Sequence, residues 1–535
     1  MALRTRLLGL SALASLTALS ASGSLGCRGK QEAAPADGIV ALSQTAAEPP
    51  LDPAMEPKPG GPKLGAIQYT SPIYEKADRR SSKIGYLRAG GLVVRGEKPV
   101  AFDDCQGGWY RVLPKGYACA GEDVSVDMEH PLLRALTRRP DLSKPMPYPY
   151  AFVRAVAPNY YRPPTAEEQL QYEMRLKEHL RSFNRLHVKW DTPKPGANDV
   201  PLDAEGIAVG EAPEEGPALD YNALFGGNGD DSIPWFFKDG RKIPNISSYR
   251  VPEYAVITNR IARKAGLAVI GTFVGDGDRR FAMTTDARLI PTTKLKPARG
   301  SMFHGVDLRD GKWQLPLAFV HKQKARQYEI SDKGMRSADD LPWHSAVQLT
   351  GKATRVGDTR YIETKAGTWI KDDDVGQALK PQELPFFAKG KHKWIDVSII
   401  GQSMVLYEGK TPVYATLVST GRDGLGDPKK TFSTVRGTFK IRDKHVTTTM
   451  DAHEVDNQFE LRDIPWVQYF EHGYAIHAAL WHDDFGKPRS HGCVNMSPID
   501  ARRVFLWTDP PLPTDWHSVN ASESTGDGTT VHIHP

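Results

Sequence analysis

Residues 474–496 read YAIHAALWHDDFGKPRSHGCVNM, a stretch that gathers within seventeen positions His477, His482, His491 and Cys493. A cysteine acts as a nucleophile when a neighbouring base takes its proton, and histidine suits that task. The alternation leading up to His477 is typical of a strand, and the tight turn before Cys493 would face that strand. The stretch therefore favours a thiol–imidazole pair, with Cys493 as the nucleophile and His477 as its base.

Gly492 stands directly before the thiol. A residue without a Cβ lets the backbone turn sharply, which exposes amide N–H groups near Cys493. Such donors stabilise the oxyanion of a tetrahedral intermediate by about 3 kcal/mol each. We expect Gly492 to serve both the turn and an oxyanion hole.

Two other interpretations of the cluster stay open on these residues alone. A cysteine in a β domain is more often a small buried hydrophobic residue than a nucleophile. A zinc ion would accept a nitrogen and sulfur set made of His477, His482, His491 and Cys493. His491 and Cys493 are separated only by Gly492, however, which is a short spacing for two ligands of one ion. The prediction is a site without metal or cofactor.

The composition is that of a modular globular chain. Its 535 residues are too many for one core and predict three or four domains. Lys and Arg number 69 against 64 Asp and Glu, and the formal net charge is +5. No basic stripe alternates with aromatic residues, which argues against nucleic-acid binding.

The N-terminus is typical of an export signal. Arg4 and Arg6 precede an apolar run from residue 7 to 19, which is shorter than the ~20 residues of a membrane span. We expect residues 1–26 to be a signal peptide and the protein to be exported to the periplasm or cell envelope. The sequence SLGC ending at Cys27 is similar to a lipoprotein cleavage box, so lipidation of Cys27 and simple cleavage are both open. Contact with a membrane is expected only through such an anchor.

Four cysteines occur, and their positions are Cys27, Cys105, Cys119 and Cys493. In an oxidising compartment Cys105 and Cys119 are close enough, across a probable hairpin, to form a disulfide. If Cys27 is lipidated or removed, Cys493 remains as a lone thiol, which calls for a chemical reason.

The first folded region is predicted from turn-rich, alternating sequence. Residues 27–63 are rich in Ala, Pro, Glu and Gly and should form a flexible linker. Residues 64–127 contain short alternating runs and the segment Gly107–Val112, which reads GGWYRV. This segment, followed by Gly116-Tyr117, resembles a bacterial SH3-like domain and implies a small β-barrel. An unrelated small β module is the alternative.

The middle of the chain is predicted to be mixed α/β. Residues 128–249 should be a helix-containing linker region, because Thr165 and Glu168 form a capping box before one amphipathic helix of about twenty residues. Residues 250–390 return to alternating runs and should form a β-rich accessory region, for which a second SH3-like unit is a candidate.

The last region, residues 391–535, has the clearest strand pattern. Consecutive antiparallel strands are predicted over 394–400, 404–407 and 413–418. The glycine-rich stretch 421–429 superficially suggests a phosphate-binding loop, but such a loop must open a helix and this one joins strands. The fold class predicted for the whole chain is mainly β.

The sequence SHGCVN, from Ser490 to Asn495, is similar to the active-site signature of the L,D-transpeptidase (YkuD-type) family. Further segments of this chain that match the family are Lys393–Val397, Val418–Gly421, Thr434–Phe439, Ala475–His477 and Trp481–Gly486. The resemblance covers about 391–535 and implies a mostly β catalytic domain.

The same resemblance implies a reaction. Cys493 would attack the carbonyl of the third residue of a peptidoglycan stem peptide, and D-alanine would leave. An amine of a second stem would resolve the thioester into a cross-link, whereas water would give carboxypeptidase activity. His477 matches the family's base, and the backbone carbonyl of Ala478 matches the group that orients it.

Residues expected to contact the substrate are Ser490, His491, Asn495, Trp481, His482 and Arg489. Asn495 stands where many family members carry Arg. Arg489 is a candidate for the missing cation, and a solvated surface arginine is the alternative that its position favours. Val435 stands where the family usually has Pro. A hydrolase with the same thioester chemistry and a catalytically silent wall-binding protein are the rival functions.

Overall fold

The computed structural model describes residues 52–247, 250–332, 334–451 and 460–535. The predicted signal peptide, Cys27 and most of the predicted linker lie outside these residues. About 37% of the described residues are in strands and 12% in helices, so the predicted mainly β fold class is confirmed.

The first module begins with a strand that pairs with two later ones. Its strands are β1 (Lys63–Ala66), β2 (Thr70–Tyr74), β3 (Lys83–Arg88), β4 (Leu92–Val94), β5 (Trp109–Arg111), β6 (Tyr117–Cys119) and β7 (Val124–Ser125). β1 pairs with β4 and β7, while β2 pairs with β3 and β6. Sγ atoms of Cys105 and Cys119 are joined at 2.07 Å, with Cα atoms 5.8 Å apart. The disulfide packs against Trp109, which is fully buried. The short helix α1 (Pro131–Ala135) follows.

The second module is assembled from two distant stretches of chain. Its elements are β8 (Tyr150–Val153), β9 (Ala157–Tyr160), α2 (Ala166–Tyr172), α3 (Leu176–Trp190), α4 (Tyr221–Leu224), β10 (Ile257–Ile261), β11 (Gly266–Gly275), β12 (Arg279–Thr284), β13 (Leu289–Pro291) and β14 (Leu295–Ala298). β8 pairs with β11 and β14, and β9 pairs with β10 and β13. The helices therefore belong to one long connection between β9 and β10.

β15 (Val306–Asp307) leads from the second module to the third. The third module consists of β16 (Leu317–Val320), β17 (Arg326–Ser331), β18 (Gly334–Asp340), β19 (Ala346–Val356), β20 (Thr359–Thr364), β21 (Trp369–Lys371) and β22 (Val375–Ala378). β16 pairs with β19 and β22, and β17 pairs with β18 and β21. All three modules thus share one strand-pairing pattern.

These modules divide the chain differently from the predicted regions. A boundary was expected near residue 249, between a linker region and a β-rich region. In the structure β8 and β9 come from the first of those regions and pair with strands from the second. The predicted linker also ends early, because residues 53–55 form a 3-10 turn and Glu56 pairs with Arg111 of the first module. The SH3-like assignments stay predictions.

The predicted amphipathic helix is interrupted. The capping box between Thr165 and Glu168 is confirmed, but α2 ends at Tyr172 and α3 begins at Leu176. Between them Glu173 turns inward to a buried ion pair with Arg279, at 2.5 Å, and Arg175 takes a left-handed φ of 49°. Helical periodicity continues through the break, so the sequence pattern alone predicted one helix.

The C-terminal region, which we call the catalytic region after the resemblance noted above, holds the remaining elements. They are β23 (Lys393–Ser398), β24 (Ser403–Glu408), β25 (Thr411–Leu417), β26 (Gly437–Lys440), β27 (Asp443–Asp451), β28 (Glu460–Glu471), β29 (Tyr474–Ala478), β30 (Val494–Met496), α5 (Pro498–Trp507), β31 (Ser518–Asn520) and β32 (Thr530–His534). The three predicted strands correspond to β23, β24 and β25, and residues 421–429 form turns between strands, as predicted. Helix α5 packs on β28 and β29 and buries Val504 and Phe505.

A buried polar cluster joins the first and second modules to the catalytic region at Asp463 of β28. The Asp463 carboxylate accepts hydrogen bonds from Arg88 of the first module, Thr285 of the second and Thr447 of β27. Its backbone carbonyl accepts a hydrogen bond from Tyr150 at 2.8 Å. Because a buried carboxylate is costly unless it is paired, this cluster holds the three parts in one arrangement.

Among the helices of the described residues, none has both the length and the apolar character that crossing a membrane requires.

Candidate active site

The predicted nucleophile lies in a turn that is closed by its own side chains. Ser490 Oγ donates a hydrogen bond to the Cys493 carbonyl and accepts one, at 3.0 Å, from the Gly492 N–H. Ser490 is buried, whereas Cys493 is partly exposed. Ser490 was expected to contact substrate; its hydroxyl is instead used within the turn.

The role of Gly492 differs in part from the expectation. Its φ of +126° lies in the region that favours glycine, and a Cβ there would stand 2.7 Å from the Tyr474 ring. The turn therefore requires glycine, as expected. Its N–H donates to Ser490, so this amide is not available as an oxyanion donor in this structure. Sequence spacing could not reveal this hydrogen bond, because it depends on how the side chain of Ser490, two positions earlier, is oriented in the folded turn.

Thr434, which is not among the predicted site residues, holds the turn from the other side. Its Oγ1 donates to the Gly492 carbonyl at 2.8 Å and accepts from the Gly421 N–H, also at 2.8 Å. Thr434 is fully buried. It belongs to the segment 434–439 noted above for its resemblance, which is the only sequence signal that would have pointed to it.

The neighbouring strands fix the position of the predicted base, His477. His477 lies on β29, between β28 and β30, and faces Asn495 in the parallel register of β29 and β30. Its Nδ1 is 3.0 Å from the Ala478 carbonyl oxygen, as expected for an orienting contact. A hydrogen on Nδ1 donates to that oxygen and leaves Nε2 as the proton acceptor. Burial lowers the pKa of His477 to about 4, which the Ala478 carbonyl partly offsets.

The Cys493 thiol is neutral at physiological pH. Burial raises its pKa to about 11, and a hydrogen bond from the Ala475 backbone partly offsets this effect. The thiol donates to the Gly473 carbonyl, with 3.7 Å between sulfur and oxygen. Neutral thiol and neutral imidazole are a suitable pair for general base catalysis, in which the proton moves as the sulfur attacks.

Trp481, His482 and Asn495 surround the base. The Trp481 ring centroid is 5.9 Å from that of His477, and His482 Nε2 is 3.4 Å from Asn495 Nδ2. Burial lowers the pKa of His482 to about 3. Asn495 is 2% exposed, and its Oδ1 has no hydrogen-bond partner among the described residues. The sequence predicted substrate contacts at these three residues, and that assignment stays a prediction.

His491 and Arg489 make their side-chain contacts with residues outside this group. His491 is exposed, with Nε2 3.3 Å from Arg422 Nη1 and its ring against Phe432. Arg489 forms an ion pair with Asp484. The sequence left Arg489 open between a substitute cation for a substrate carboxylate and a solvated surface residue, and in this structure its charge is directed to Asp484. The local loop conformation decides this pairing, which the sequence spacing does not specify.

Within the described ranges, no group of three or more His, Cys, Asp or Glu side chains is placed to hold a metal ion. A metal-free site stays a prediction.

The site does not coincide with the larger cleft beside it. A cleft of about 950 Å³ lies between the third module and strands β23 and β24. It reaches residues 486–488 but is not lined by Cys493 or His477. The chemistry of the side chains, and not cavity size, therefore locates the candidate site.

Comparison with known proteins gives a consistent family. Residues 392–533 match the model of the YkuD family, described as the L,D-transpeptidase catalytic domain. The Bacillus subtilis (strain 168) protein named "Putative L,D-transpeptidase YciB" is 26% identical over 180 residues, which are 31% of this chain and 84% of YciB.

Solved structures of the same name are also similar to this chain. The L,D-transpeptidase (Yku) of Stackebrandtia nassauensis is 22% identical, with a TM-score of 0.19, and the match covers 28% of this chain and 57% of that one. The L,D-transpeptidase of Mycobacterium smegmatis is 17% identical, with a TM-score of 0.21, and the match covers 45% and 90%. This chain thus spans little more than half of the Stackebrandtia enzyme.

Proposed function

We propose a reaction for the C-terminal region of this chain from its family. Residues 392–533 are an L,D-transpeptidase catalytic domain of the YkuD family, which is a family of acyltransferases. The proposed substrate is a peptidoglycan stem peptide. Cys493 is the nucleophile, His477 is the base, and the product is a cross-link between two stems.

The first half-reaction forms a thioester. His477 Nε2 takes the thiol proton while the Cys493 sulfur attacks the carbonyl carbon of the third stem residue. The bond to D-alanine then breaks, and its amine leaves with the proton that His477 held. The enzyme keeps the acylated cysteine.

The second half-reaction resolves the thioester. An amine of a second stem attacks the thioester carbonyl, and its proton passes to His477. The carbon–sulfur bond breaks, and the sulfur recovers the proton as a thiol. When water attacks instead, the products are a free carboxylate and the same thiol, which is net carboxypeptidase activity.

One observation carries the proposal. The turn of Ser490 and Gly492 holds Cys493 at the start of β30, directly beside the strand that carries His477. The Ala478 carbonyl orients the imidazole so that Nε2 is free to accept a proton. Both halves of the pair are neutral, which is the protonation state that the first step requires.

The proposed location is the periplasm or cell envelope. The disulfide between Cys105 and Cys119 supports export, since such bonds persist in oxidising compartments. A lipid anchor on Cys27 remains a separate expectation that lies outside the described residues.

The test is mass spectrometry of the full chain after incubation with muropeptides. We expect the unmodified protein to gain the mass of a stem lacking D-alanine, on the peptide that contains Cys493, and to release cross-linked dimers. Cys493→Ala should show neither product while it keeps its thermal transition. Turnover that persists in Cys493→Ala would refute the assignment of the nucleophile.

The same experiment separates the rival functions. Monomers that lose D-alanine without dimer formation would identify a carboxypeptidase. Muropeptide binding without any acylated cysteine would identify a wall-binding protein. The intact pair of His477 and Cys493 favours catalysis over a wall-binding function.

A further inference from the structure

Residues 481–489, which we call the active-site loop, connect β29 to the nucleophile turn. On its inner side the loop is held by the catalytic region itself. The Gly486 N–H donates to the Val418 carbonyl at 2.9 Å, and Ser419 Oγ donates to the Asp484 carbonyl at 3.1 Å. These contacts tie the loop to the end of β25.

The outer side of the loop is held by residues from outside the catalytic region. Ser301, in the segment between the second and third modules, donates its hydroxyl to the Asp483 carboxylate. The ring of Phe303 stacks on Phe485, with centroids 5.9 Å apart. Ser301 and Phe303 are 5% and 4% exposed and Phe485 is completely buried, so the ring contact is shielded from water, whereas the Asp483 side chain is 44% exposed.

The third module adds two further contacts. His344 Nδ1 lies 3.9 Å from the Asp483 carboxylate, and the His344 ring packs against Phe303 at 4.7 Å. The backbone of Gly486, with a φ of +93°, lies so close to His321 that a Cβ on the glycine would be 2.7 Å from His321 Cβ. Burial lowers the pKa of His344 to about 4, so its ring is neutral and contacts Asp483 without a formal charge.

Contacts inside the loop connect this outer support to the base. Phe485 packs on His482 with ring centroids 4.8 Å apart, and His482 lies 3.4 Å from Asn495. Asn495 is the residue that faces His477 across β29 and β30. A displacement of Phe485 would therefore move His482 and the wall beside the catalytic pair.

We propose that Ser301, Phe303, His321 and His344, which we call the anchor, are positioning residues of the catalytic site: they fix the active-site loop so that His482 and Asn495 form a preorganised wall for the stem peptide. The third module, and the segment before it that carries Ser301 and Phe303, are then parts of the active site and not only attachments to it. This inference rests on the proposed function, since the wall matters only if a stem is acylated beside it.

The anchor makes a specific kinetic prediction. Stem acylation depends on the wall and should slow when the anchor is removed. Alkylation of Cys493 by a small reagent such as iodoacetamide needs only the thiol and should keep its rate. A merely structural effect, by contrast, would alter both reactions together.

The central test compares Ser301→Ala with Ser301→Thr in the full chain. Ser301→Ala removes the hydroxyl that binds Asp483 and should lower kcat/KM for the stem about tenfold, as expected for a hydrogen bond to a charged group. Ser301→Thr keeps the hydroxyl and should restore most of that loss. Ser331→Ala, an exposed position on β17 of the third module, is the matched control and should behave like the unmodified protein.

Two further measurements keep the test decisive. Ser301→Ala should be cut faster by trypsin at the Arg489–Ser490 bond, because the loop has lost its outer support. Gly486→Ala introduces the clash with His321 and should reproduce the loss of stem acylation without any change at Ser301. Because this second variant acts from a different residue, the proposal does not depend on how well any one variant folds.

The outcomes are separable from those of the proposed function. If the unmodified protein fails to acylate, the proposed function is wrong. If it acylates and both Ser301→Ala and Gly486→Ala keep kcat/KM within twofold, the proposed function stands and the anchor is refuted. A loss in Ser301→Ala that Ser301→Thr does not restore, or an equal loss of iodoacetamide alkylation, also refutes the anchor.

Discussion

The pH dependence of acylation should distinguish a neutral catalytic pair from a preformed thiolate. In the structure the pKa of Cys493 is about 11 and that of His477 is about 4. Between these values the thiol keeps its proton while the imidazole is free to accept it. We therefore expect the acylation rate of the unmodified protein to be flat from pH 5.5 to 9 and to fall only as the pH drops towards 4.

His477→Ala removes the base and leaves only the free thiolate as a nucleophile. With a pKa of about 11, roughly one Cys493 in 10⁴ is thiolate at pH 7 and one in 10² at pH 9. The rate of this variant should rise about tenfold per pH unit and gain about 100-fold over that interval. At pH 7 it should be slower than the unmodified protein by on the order of 10² to 10⁴.

The assay is acylation of Cys493 by a carbapenem and by a stem peptide, followed by intact mass at a series of pH values. His491→Ala is the control, because His491 is exposed and its Nε2 contacts Arg422. Its profile should stay flat. If the unmodified protein follows the tenfold slope of His477→Ala, His477 is not the base. A bell-shaped profile with both limbs between pH 5.5 and 9 would instead show a thiolate–imidazolium pair, and the pKa argument would be wrong.

Two further substitutions test the buried cluster at Asp463 and the turn at Gly492. Arg88→Ala leaves the buried Asp463 carboxylate without its cation and should destabilise the fold by about 3–5 kcal/mol, measured as a lower denaturation midpoint. The control is Arg80→Ala, which removes the highly exposed partner of Asp78 and should leave the midpoint unchanged. Equal midpoints in both variants would contradict the role of Asp463. Gly492→Ala places a Cβ against Tyr474 at a positive φ and should slow acylation by about 10- to 100-fold while the thermal transition is kept. The control is Gly424→Ala, whose new Cβ meets no neighbour within 4 Å. Equal acylation rates in the two variants would show that the turn tolerates a side chain.

Local patterns predicted much of the catalytic region. The alternation over 394–418 gave β23 to β25, and the short segment around Cys493 located the turn and the strand of His477. These features depend on neighbours in sequence, which a pattern can report. The disulfide partners are likewise only fourteen positions apart.

Features that depend on distant residues were not predictable in this way. The pairing of β8 with β11 and β14 unites stretches that composition had assigned to different regions. The inward turn of Glu173 depends on Arg279, and the hydrogen bonds of Thr434 depend on the turn around Gly492. Each of these contacts is made across the fold, so no periodicity in the sequence marks it.

The shared pairing pattern of the three modules has a practical consequence for protein engineering. In the third module β17 ends at Ser331 and β18 begins at Gly334, whereas the equivalent strands of the second module, β9 and β10, are separated by residues 161–256. The cost of closing a loop grows only slowly with its length, which is why one copy of the module accommodates a helical insert there. The tip of the β17–β18 hairpin is therefore a position where a fluorescent protein or an affinity tag can be inserted to image the protein in cells, and we expect the module to fold around the insert as its neighbour already does.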